Sequence, residues 1–146
     1  MGNKQKEKEE MKQRLWSWGT ALNRFYWKED ELKKLQEIQE VQRQLQERYP
    51  EEKIREEVFL LEQTQRKDVV RLRIEMVEIL RDKARTEAWL EGLTEDERCF
   101  VGMRFEKGYG FDYIAVKMHL SRATLFRMQD KVLEKMMENR RKSEMV

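Results

Sequence analysis

The only proline in the chain, Pro50, interrupts a long stretch in which apolar side chains otherwise recur every three or four residues. That spacing is the period of an amphipathic helix. Proline disfavours helical geometry in the residue before it, and it is well tolerated where a helix begins. We therefore expect one long helical segment to end just before Pro50 and another to begin just after it.

Two apolar stripes precede Pro50. The first extends from Lys4 to about Trp27 and predicts an unusually aromatic helix, which Gly19 interrupts only weakly. Its members are Met11, Leu15, Trp18, Leu22 and Phe25, and Trp16, Tyr26 and Trp27 widen it. Because aromatic side chains commonly anchor cores, we expect these rings to pack against the later helices, with a docking face for another protein as the alternative.

A second, narrower stripe leads up to Pro50, and a third follows it. The second is typical of a coiled-coil seam and consists of Leu32, Leu35, Ile38, Val41, Leu45 and Tyr49. The third continues towards Leu90 and includes Ile54, Val58, Leu61, Val69, Leu72, Met76 and Leu80. Such narrow stripes are not stable alone in water, so the two long helices form either an antiparallel hairpin or intertwined subunits.

The composition also favours helices. Charged residues make up 41% of the chain and hydrophobic residues 39%, with only six glycines, which is close to a coiled-coil composition. The aliphatic side chains are spread along long helices, so a core has to be assembled from their stripes, and self-association would help. We predict an all-α fold in which the lysine- and glutamate-rich first ten residues fray.

Several other functions are disfavoured by the residues present. The single cysteine, Cys99, cannot form an internal disulfide, and no apolar run approaches the ~20 residues that cross a bilayer. The charged start does not fit a signal peptide, so we expect a cytoplasmic protein with no membrane partner. We expect Cys99, beside Phe100, to be a small buried apolar residue.

The sequence does not predict a catalytic site or a metal-binding site. His119 and Cys99 lack the two further ligands that a zinc site requires. The chain also lacks a nucleophile paired with a base and a phosphate-binding glycine loop. We therefore expect a protein that is not an enzyme and that uses neither a cofactor nor a metal.

The pattern changes after Gly92 into short helical pieces. Thr94 and Glu97 are spaced as a capping box, in which each side chain accepts the other residue's backbone amide. The helix that they begin presents Phe100, Val101, Met103 and Phe105 and stops at Lys107 and Gly108, where glycine can adopt a left-handed conformation. A domain boundary is therefore expected near residue 92.

Two further helices follow Gly110. The first extends from Phe111 to Met118, with the small Ala115 where two helices would cross closely. A turn through His119 leads to Ser121, whose side chain can cap the last helix. That helix places Leu125, Met128, Val132 and Met136 on its inner face. A short helix, a tight turn and a second helix with an outward basic face are typical of a helix-turn-helix motif that enters the DNA major groove.

Positive charge is concentrated in this C-terminal part. Residues 1–92 contain 20 basic and 20 acidic residues, whereas residues 110–142 contain eight basic and four acidic ones. Arginine can bind guanine through two hydrogen bonds, and lysine mainly holds phosphate. Two questions stay open: Phe126 either touches a thymine methyl or covers the domain edge, and Arg140, Arg141 and Lys142 either fray or contact phosphate.

The residues from Leu93 to Met136 resemble region 4 of bacterial sigma factors. The resemblance is carried by L-T-E-D-E-R, R-F-E-K-G and I-A-V-K-M-H-L-S-R-A-T-L-F-R, over about 44 residues without a gap. The step Glu47-Arg48-Tyr49-Pro50-Glu51 before a long helix further resembles phage-encoded late-gene transcription activators of the ArpU and RinA type. Two positions depart from the sigma pattern: His119 replaces the usual turn glycine, and Gly110 replaces the usual Ser or Thr cap.

The resemblance implies that the helix after Ser121 reads promoter or operator DNA. By position, it assigns DNA contact to Arg122, Ala123, Thr124, Phe126, Arg127 and Lys131. The predicted organisation is a helical oligomerisation or partner-binding region at 1–92, a sigma region 4-like helix-turn-helix domain at 93–142, and a tail at 143–146.

Three functions are compatible with this organisation. The leading hypothesis is a bacterial or phage transcription regulator that binds duplex DNA and uses its long helices to self-associate or to engage RNA polymerase. A phage packaging protein similar to a small terminase subunit, with ring-forming helices, is the second. The third is a helical adaptor that binds RNA polymerase without reading DNA directly.

Overall fold

The computed structural model describes residues 2–145, and this part of the chain is all-α. It contains five helices and no strand. The helices are α1 (Gly2–Arg48), α2 (Glu52–Trp89), α3 (Glu95–Val101), α4 (Phe111–Met118) and α5 (Arg122–Glu144), and a π-helical turn, Gly102–Glu106, follows α3 directly.

The two stripes that precede Pro50 lie on one continuous helix, α1, and not on two separate segments. Residues 49–51 break the chain at Pro50, as predicted, and α2 begins at Glu52. The two long helices pack as an antiparallel hairpin, because the Lys28 Nζ on α1 lies 2.8 Å from the Glu75 Oε2 on α2. Within this single chain, the helices therefore pair as the predicted hairpin.

The chain divides into two compact units. One contains residues 1–21 and 81–146, and the other, here called the hairpin unit, contains residues 22–80. The first unit, here called the C-terminal unit, joins α3, α4 and α5 to the start of α1 and the end of α2. Its compact body thus includes more than the residues 93–142 that the sequence indicates.

The C-terminal unit has a dense apolar core. Met11 and Leu15 from α1 and Trp89 from α2 share this core with side chains from the three shorter helices. The largest of its fully buried members are Phe100, Phe105, Ile114, Leu125, Leu133, Met136 and Met137. The Asn139 side chain of α5 donates to the backbone carbonyls of Trp89 and Glu91 at 2.8 and 2.9 Å, which satisfies groups that the end of α2 leaves unpaired.

Gly19 marks the closest approach of α1 to the π-helical turn. A Cβ atom at this position would lie 1.8 Å from the Phe105 backbone oxygen, so only glycine fits. Beside it, the Trp16 ring packs edge-on against the Phe105 ring, with centroids 4.8 Å apart. Gly19 is therefore the position where α1 docks, and the helix continues through it.

The first residues of α1 are not frayed, contrary to the prediction. They form regular helix from Gly2, and their charged side chains pair with α5. The Glu7 and Glu10 carboxylates lie 2.8 and 3.0 Å from the Arg140 guanidinium, and Glu7 also reaches Arg141 at 3.5 Å. Lys8 lies 3.6 Å from both Asp130 and Glu134. A charged, low-complexity start is thus ordered because α5 offers matching charges.

In the hairpin unit, the seam between the helices is thinner and more polar than predicted. Among residues 22–80, the buried hydrophobic side chains are Leu32, Val58 and Leu72. Gln42 is buried as well, whereas Ile38, Val41, Leu45 and Tyr49 are exposed. The predicted second stripe is therefore wrong beyond Leu35, because the inward face of α1 continues at the spacing of Leu32 onto glutamines.

The prediction for the aromatic first stripe is confirmed only in its first half. Met11 and Leu15 are fully buried, and Trp18 packs against the core, where its indole Nε1 donates to Glu87 at 3.3 Å. Leu22, Tyr26 and Trp27 are exposed instead. The change falls where α1 passes from the C-terminal unit into the hairpin unit.

Candidate nucleic-acid interface

The start of the C-terminal helices follows the predicted local signals. The Thr94 hydroxyl accepts the Glu97 backbone amide at 3.2 Å, and Glu97 Oε1 accepts the Thr94 amide at 2.9 Å. This capping box begins α3 as predicted. At the far end, Gly108 adopts a φ of +71°, which ends the segment after the π-helical turn.

Glu97 also ties α3 to α5. Lys135 Nζ donates to Glu97 Oε1 at 2.5 Å, and the Glu97 residue is only 4% exposed. Burial raises the pKa of the Glu97 carboxyl, but the hydrogen bonds from Lys135 and Thr94 outweigh it, so this pKa lies below the ordinary value. The pair fixes the back of α5 against the rest of the unit.

Helix α4 has the predicted bounds and a small crossing residue. Ile114 is fully buried, and Ala115 packs partly buried against the same core. Gly110 is the N-cap residue and makes no side-chain capping bond. The departure at Gly110 therefore leaves the start of α4 without the hydroxyl that usually stabilises such a start.

The turn between α4 and α5 is built on a left-handed residue. His119 has a φ of 56° and a ψ of 41°, the conformation for which glycine is the common choice. The Leu120 amide donates to the Ala115 carbonyl at 3.0 Å, and the His119 amide donates to Val116 at 3.4 Å. Histidine is thus accommodated at the position where the sequence departs from the usual glycine.

Ser121 caps α5 as predicted. Its Oγ accepts the Thr124 backbone amide at 3.1 Å and lies 2.8 Å from the Thr124 hydroxyl. Helix α5 then continues to Glu144 and so includes residues 143 and 144, the first two that the sequence assigned to a tail. The cap at Ser121 therefore fixes where α5 begins, and this start determines which of the following side chains face outward.

The residues predicted to contact DNA lie together on the first three turns of α5. Arg122, Ala123, Phe126, Arg127 and Lys131 are exposed, and Thr124 is half-buried. The inward side of the same helix carries Leu125, Gln129, Val132, Leu133 and Met136, all buried, with Met128 partly buried. The outward face predicted from helical spacing is thus the accessible face.

Phe126 is held by the domain edge. Its ring stacks on the Phe111 ring of α4, with centroids 4.5 Å apart and planes 13° apart, and 46% of the residue is exposed. The Arg122 guanidinium lies 5.9 Å from the Phe126 ring centroid. Phe126 therefore covers the edge of the domain and still presents one side to the outside.

Two further contacts orient the polar side chains of this face. Arg122 Nη1 lies 3.2 Å from Asp112 Oδ1 of α4, and both side chains are well exposed. Arg127 donates to the Thr124 hydroxyl at 3.5 Å. An exposed ion pair contributes only about 0–1 kcal/mol, so Arg122 can leave Asp112 for a stronger acceptor at little cost.

The start of α1 modifies the charge beside this face, which the sequence did not reveal. Asp130 and Glu134 flank Lys131 on α5, and Lys8 pairs with both of them. The Lys4 Nζ also lies 3.7 Å from the Glu134 Oε1. Lysines of α1 thus pair with the two acidic residues of α5 that lie next to Lys131 in the helix. Only the pairing of α1 with α5 brings these charges together.

The basic residues at the end of α5 have different surroundings. The Arg140 side chain is mostly buried between Glu7 and Glu10, so this residue is a structural ion-pair partner and neither a frayed end nor an accessible phosphate ligand. Lys142 pairs with Glu138 at 3.5 Å. Arg141 and Lys142 are exposed, so accessible positive charge is present at both ends of α5.

Cys99 is exposed, so the prediction that it is buried is wrong. The next residue of α3, Phe100, is fully buried in the core instead. Across residues 2–145, no group of three or more His, Cys, Asp or Glu side chains is placed to hold a metal ion. Over the same range, no helix is both long enough and apolar enough to span a membrane.

The resemblance to known families rests on the sequence motifs. Comparison of the chain with protein-family models, with curated proteins and with solved structures gives no match. The likeness to sigma factor region 4, and to phage activators of the ArpU and RinA type, therefore stays a prediction.

Proposed function

We propose that the chain is a sequence-specific DNA-binding transcription regulator, sigma-factor-like and encoded by a phage or prophage, that acts on promoter DNA together with RNA polymerase. In this proposal α4, the turn at His119 and α5 form a helix-turn-helix motif. The observation that supports it is the exposed face at the serine-capped start of α5, where Arg122, Arg127 and Lys131 lie beside Thr124 and Phe126.

The residue types on this face suit major-groove recognition. Arg122 and Arg127 can each donate two hydrogen bonds to a guanine edge, and each good pair contributes about 1–3 kcal/mol of discrimination between bases. Lys131 and the Thr124 hydroxyl suit phosphate oxygens. Ala123 and the open side of Phe126 can contact thymine methyl groups. The face thus combines base readout with positioning on the phosphate backbone.

The proposal is tested by removing the two arginines together. Arg122→Ala with Arg127→Ala should weaken binding to the selected duplex by at least about tenfold and make log Kd less dependent on log salt, since phosphate and base contacts are lost together. The duplex is obtained by selection from a random library with the purified wild-type chain. Circular dichroism checks that helicity is unchanged.

A matched control removes two exposed arginines elsewhere in the same unit. Arg81→Ala with Arg85→Ala changes the net charge equally, so it separates a local contact from a general charge effect. This control should bind with nearly wild-type affinity. Equal affinity of the Arg122 and Arg127 double variant and the wild type would exclude this face as the recognition surface.

RNA polymerase and further copies of the chain are the proposed protein partners, and the bacterial cytoplasm or nucleoid is the proposed location. The long helices are the proposed elements for self-association. Pull-down with immobilised chain, with and without duplex DNA, separates a regulator from an adaptor. Polymerase retained without DNA, together with no duplex binding at low salt, would favour the adaptor and contradict direct DNA readout.

A further inference from the structure

The two exposed arginines at the start of α5 have different surroundings. Within residues 2–145, the hydrogen bond of the Arg127 side chain is the one to the Thr124 hydroxyl at 3.5 Å, which is long for such a contact. The Arg122 guanidinium lies 3.2 Å from the Asp112 carboxylate of α4 and 5.9 Å from the centroid of the Phe126 ring. Arg122 is therefore held by two side chains, and Arg127 by one weak contact.

The Asp112 carboxylate occupies one nitrogen of the Arg122 guanidinium. Its Oδ1 accepts from Nη1, and within residues 2–145 neither Nε nor Nη2 of Arg122 takes part in a hydrogen bond. Nε and Nη2 lie side by side on one edge of the planar group, and such an edge is a fork that can bind two acceptors at once. Arg122 can therefore donate to the O6 and N7 atoms of guanine while Asp112 stays in place.

The Phe126 ring belongs to a column of stacked side chains, which keeps the ring in place. It lies on the Phe111 ring of α4, with the two centroids 4.5 Å apart. The Arg104 guanidinium lies 4.9 Å from the Phe111 centroid and 5.0 Å from the Trp16 centroid of α1. Arg104 also donates to the Tyr109 carbonyl at 3.0 Å. The column thus joins the docked part of α1 to the start of α5.

We propose that Arg122 determines specificity for guanine at one base pair, and that Asp112 is the positioning residue that orients it. The proposal rests on the DNA recognition by α5 proposed above, and it names the base that Arg122 reads and the side chain on which this reading depends. A long side chain loses conformational entropy when it binds, and a guanidinium that is already held loses less. This favours a bidentate contact with a base, which requires a defined orientation.

Asp112 also opposes the general attraction of this face for DNA. Its side chain is 84% exposed beside Arg122, and a negative charge near the phosphate backbone weakens binding to any duplex. Asp112→Asn should therefore tighten binding to unrelated DNA and at the same time weaken the preference for guanine. A carboxylate that only stabilised the fold would not separate these two effects.

The first test is made without DNA. The motion of the Arg122 Nε–H bond is measured by ¹⁵N relaxation in the free full chain, with Arg127 as the internal reference. Arg122 should be more restricted than Arg127 in the wild-type chain. Asp112→Asn should make Arg122 more mobile and leave Arg127 unchanged. Equal mobility of Arg122 in the wild type and in Asp112→Asn would overturn the positioning role.

The second test measures the preference for each base in the selected duplex. Duplexes that differ at one base pair are compared, and Arg122→Ala identifies the position that Arg122 reads. A good bidentate contact gives a preference for guanine of about 5- to 150-fold at that position. Asp112→Asn should reduce this preference by about two- to fivefold, the range for an exposed ion pair, and should leave the preferences at all other positions unchanged.

Two further variants control for charge and for shape. Asp112→Glu keeps a carboxylate within reach of Arg122 and should regain part of the preference. Glu106→Gln removes an exposed negative charge of the same unit that forms no ion pair with Arg122, and it should leave every preference unchanged. An equal loss of preference in Glu106→Gln and Asp112→Asn would indicate a general charge effect and overturn the positioning role. Circular dichroism checks that each variant retains its helicity.

Failure of this inference and failure of DNA recognition are separable. A wild-type chain that selects no duplex overturns the proposed function and, with it, the contact with guanine. A chain that loses its preference at one base pair in Arg122→Ala but keeps it in Asp112→Asn overturns the positioning role alone. A preferred base other than guanine at the position that Arg122 reads overturns the assignment of the base and leaves DNA recognition by α5 intact.

Discussion

The C-terminal unit and the hairpin unit both contain parts of the two long helices, but they differ in how many helices pack against them. In the C-terminal unit, Met11 and Leu15 of α1 enter a core with aromatic and aliphatic side chains from three other helices. In the hairpin unit, the same helix meets only α2, and glutamine takes positions that an apolar residue would fill. The C-terminal unit buries its large apolar side chains in its own core, whereas the hairpin unit leaves most of its large apolar side chains exposed.

This contrast shows that the length of a helix does not by itself determine how stable that helix is. A long helix gains most of its stability from packing of its apolar face, so α1 is stable where several partners surround it. Where α1 has one partner, its outer apolar residues remain available for association. The dense unit therefore holds α5 by packing on several sides, whereas the hairpin unit leaves large apolar side chains exposed.

The largest expected difference between the units is found by truncating one leucine in each. Leu133→Ala should cost about 2–5 kcal/mol in urea unfolding, because Leu133 is 1% exposed and its removal leaves a cavity. Leu61→Ala should cost less than about 1 kcal/mol, since Leu61 is 52% exposed on the hairpin. Similar losses at the two positions would show that the hairpin buries more than its own seam.

Gly19 tests how α1 is joined to the C-terminal unit. Gly19→Ala should cost about 2–3 kcal/mol, because its Cβ would overlap the Phe105 backbone and force the helix away. Gly102→Ala is the matched control, since a Cβ there meets only the Glu106 side chain at 3.6 Å. Alanine favours helix over glycine by about 1 kcal/mol, so Gly102→Ala should be neutral or stabilising in the same denaturation assay.

The Glu97–Lys135 pair makes the stability of the C-terminal unit depend on pH. The pKa of Glu97 is lowered in the folded chain, so its contribution is present above the ordinary glutamate value of 4.5 and is lost as pH falls through the folded value. Glu97→Gln should cost about 1–2 kcal/mol at pH 7 and much less in acid.

The exposed Glu95→Gln on the same helix serves as the control in urea unfolding at both pH values. If Glu97→Gln lowers the free energy of unfolding equally at neutral and acid pH, the charge of the Glu97 carboxylate does not contribute to stability. The loss would then come only from the changed packing and hydrogen bonds of the side chain.

Local signals explain what the sequence predicted well. The capping box at Thr94, the bounds of α4 and the cap at Ser121 each depend on residues within a few positions, and the structure has all three. The outward positions of Arg122, Arg127 and Lys131 follow from the same helical spacing. DNA recognition also depends on the sequence and shape of the DNA, and neither the helical spacing nor the packing of this chain specifies these.

Long-range packing explains what the sequence missed. The pairing of Lys8 with Asp130 joins residues far apart in the chain, and the contact of Gly19 with Phe105 leaves no sign in either local sequence. The inward face of α1 could have been traced by counting from Trp18 through Leu32 to Gln39, but apolar residues at Ile38 and Val41 gave the stronger local pattern. In the structure these residues are exposed and do not belong to the hairpin's own core.

The smallest expected effect concerns His119, the left-handed residue of the turn in the C-terminal unit. A non-glycine residue in this conformation costs about 1–2 kcal/mol, and His119→Gly removes that cost while making the unfolded chain more flexible, so the net gain should be about 0.5–1 kcal/mol. His119→Val is the opposite control and should destabilise, because a β-branched side chain fits this conformation poorly.

Both His119 variants are compared by urea unfolding and by binding to the selected duplex. The glycine variant should raise stability without changing affinity for DNA, since the turn orients α5 but carries none of the proposed contacts. A loss of affinity in a more stable His119→Gly chain would mean that the imidazole itself takes part in recognition, and the proposed interface would then have to extend from α5 into the turn.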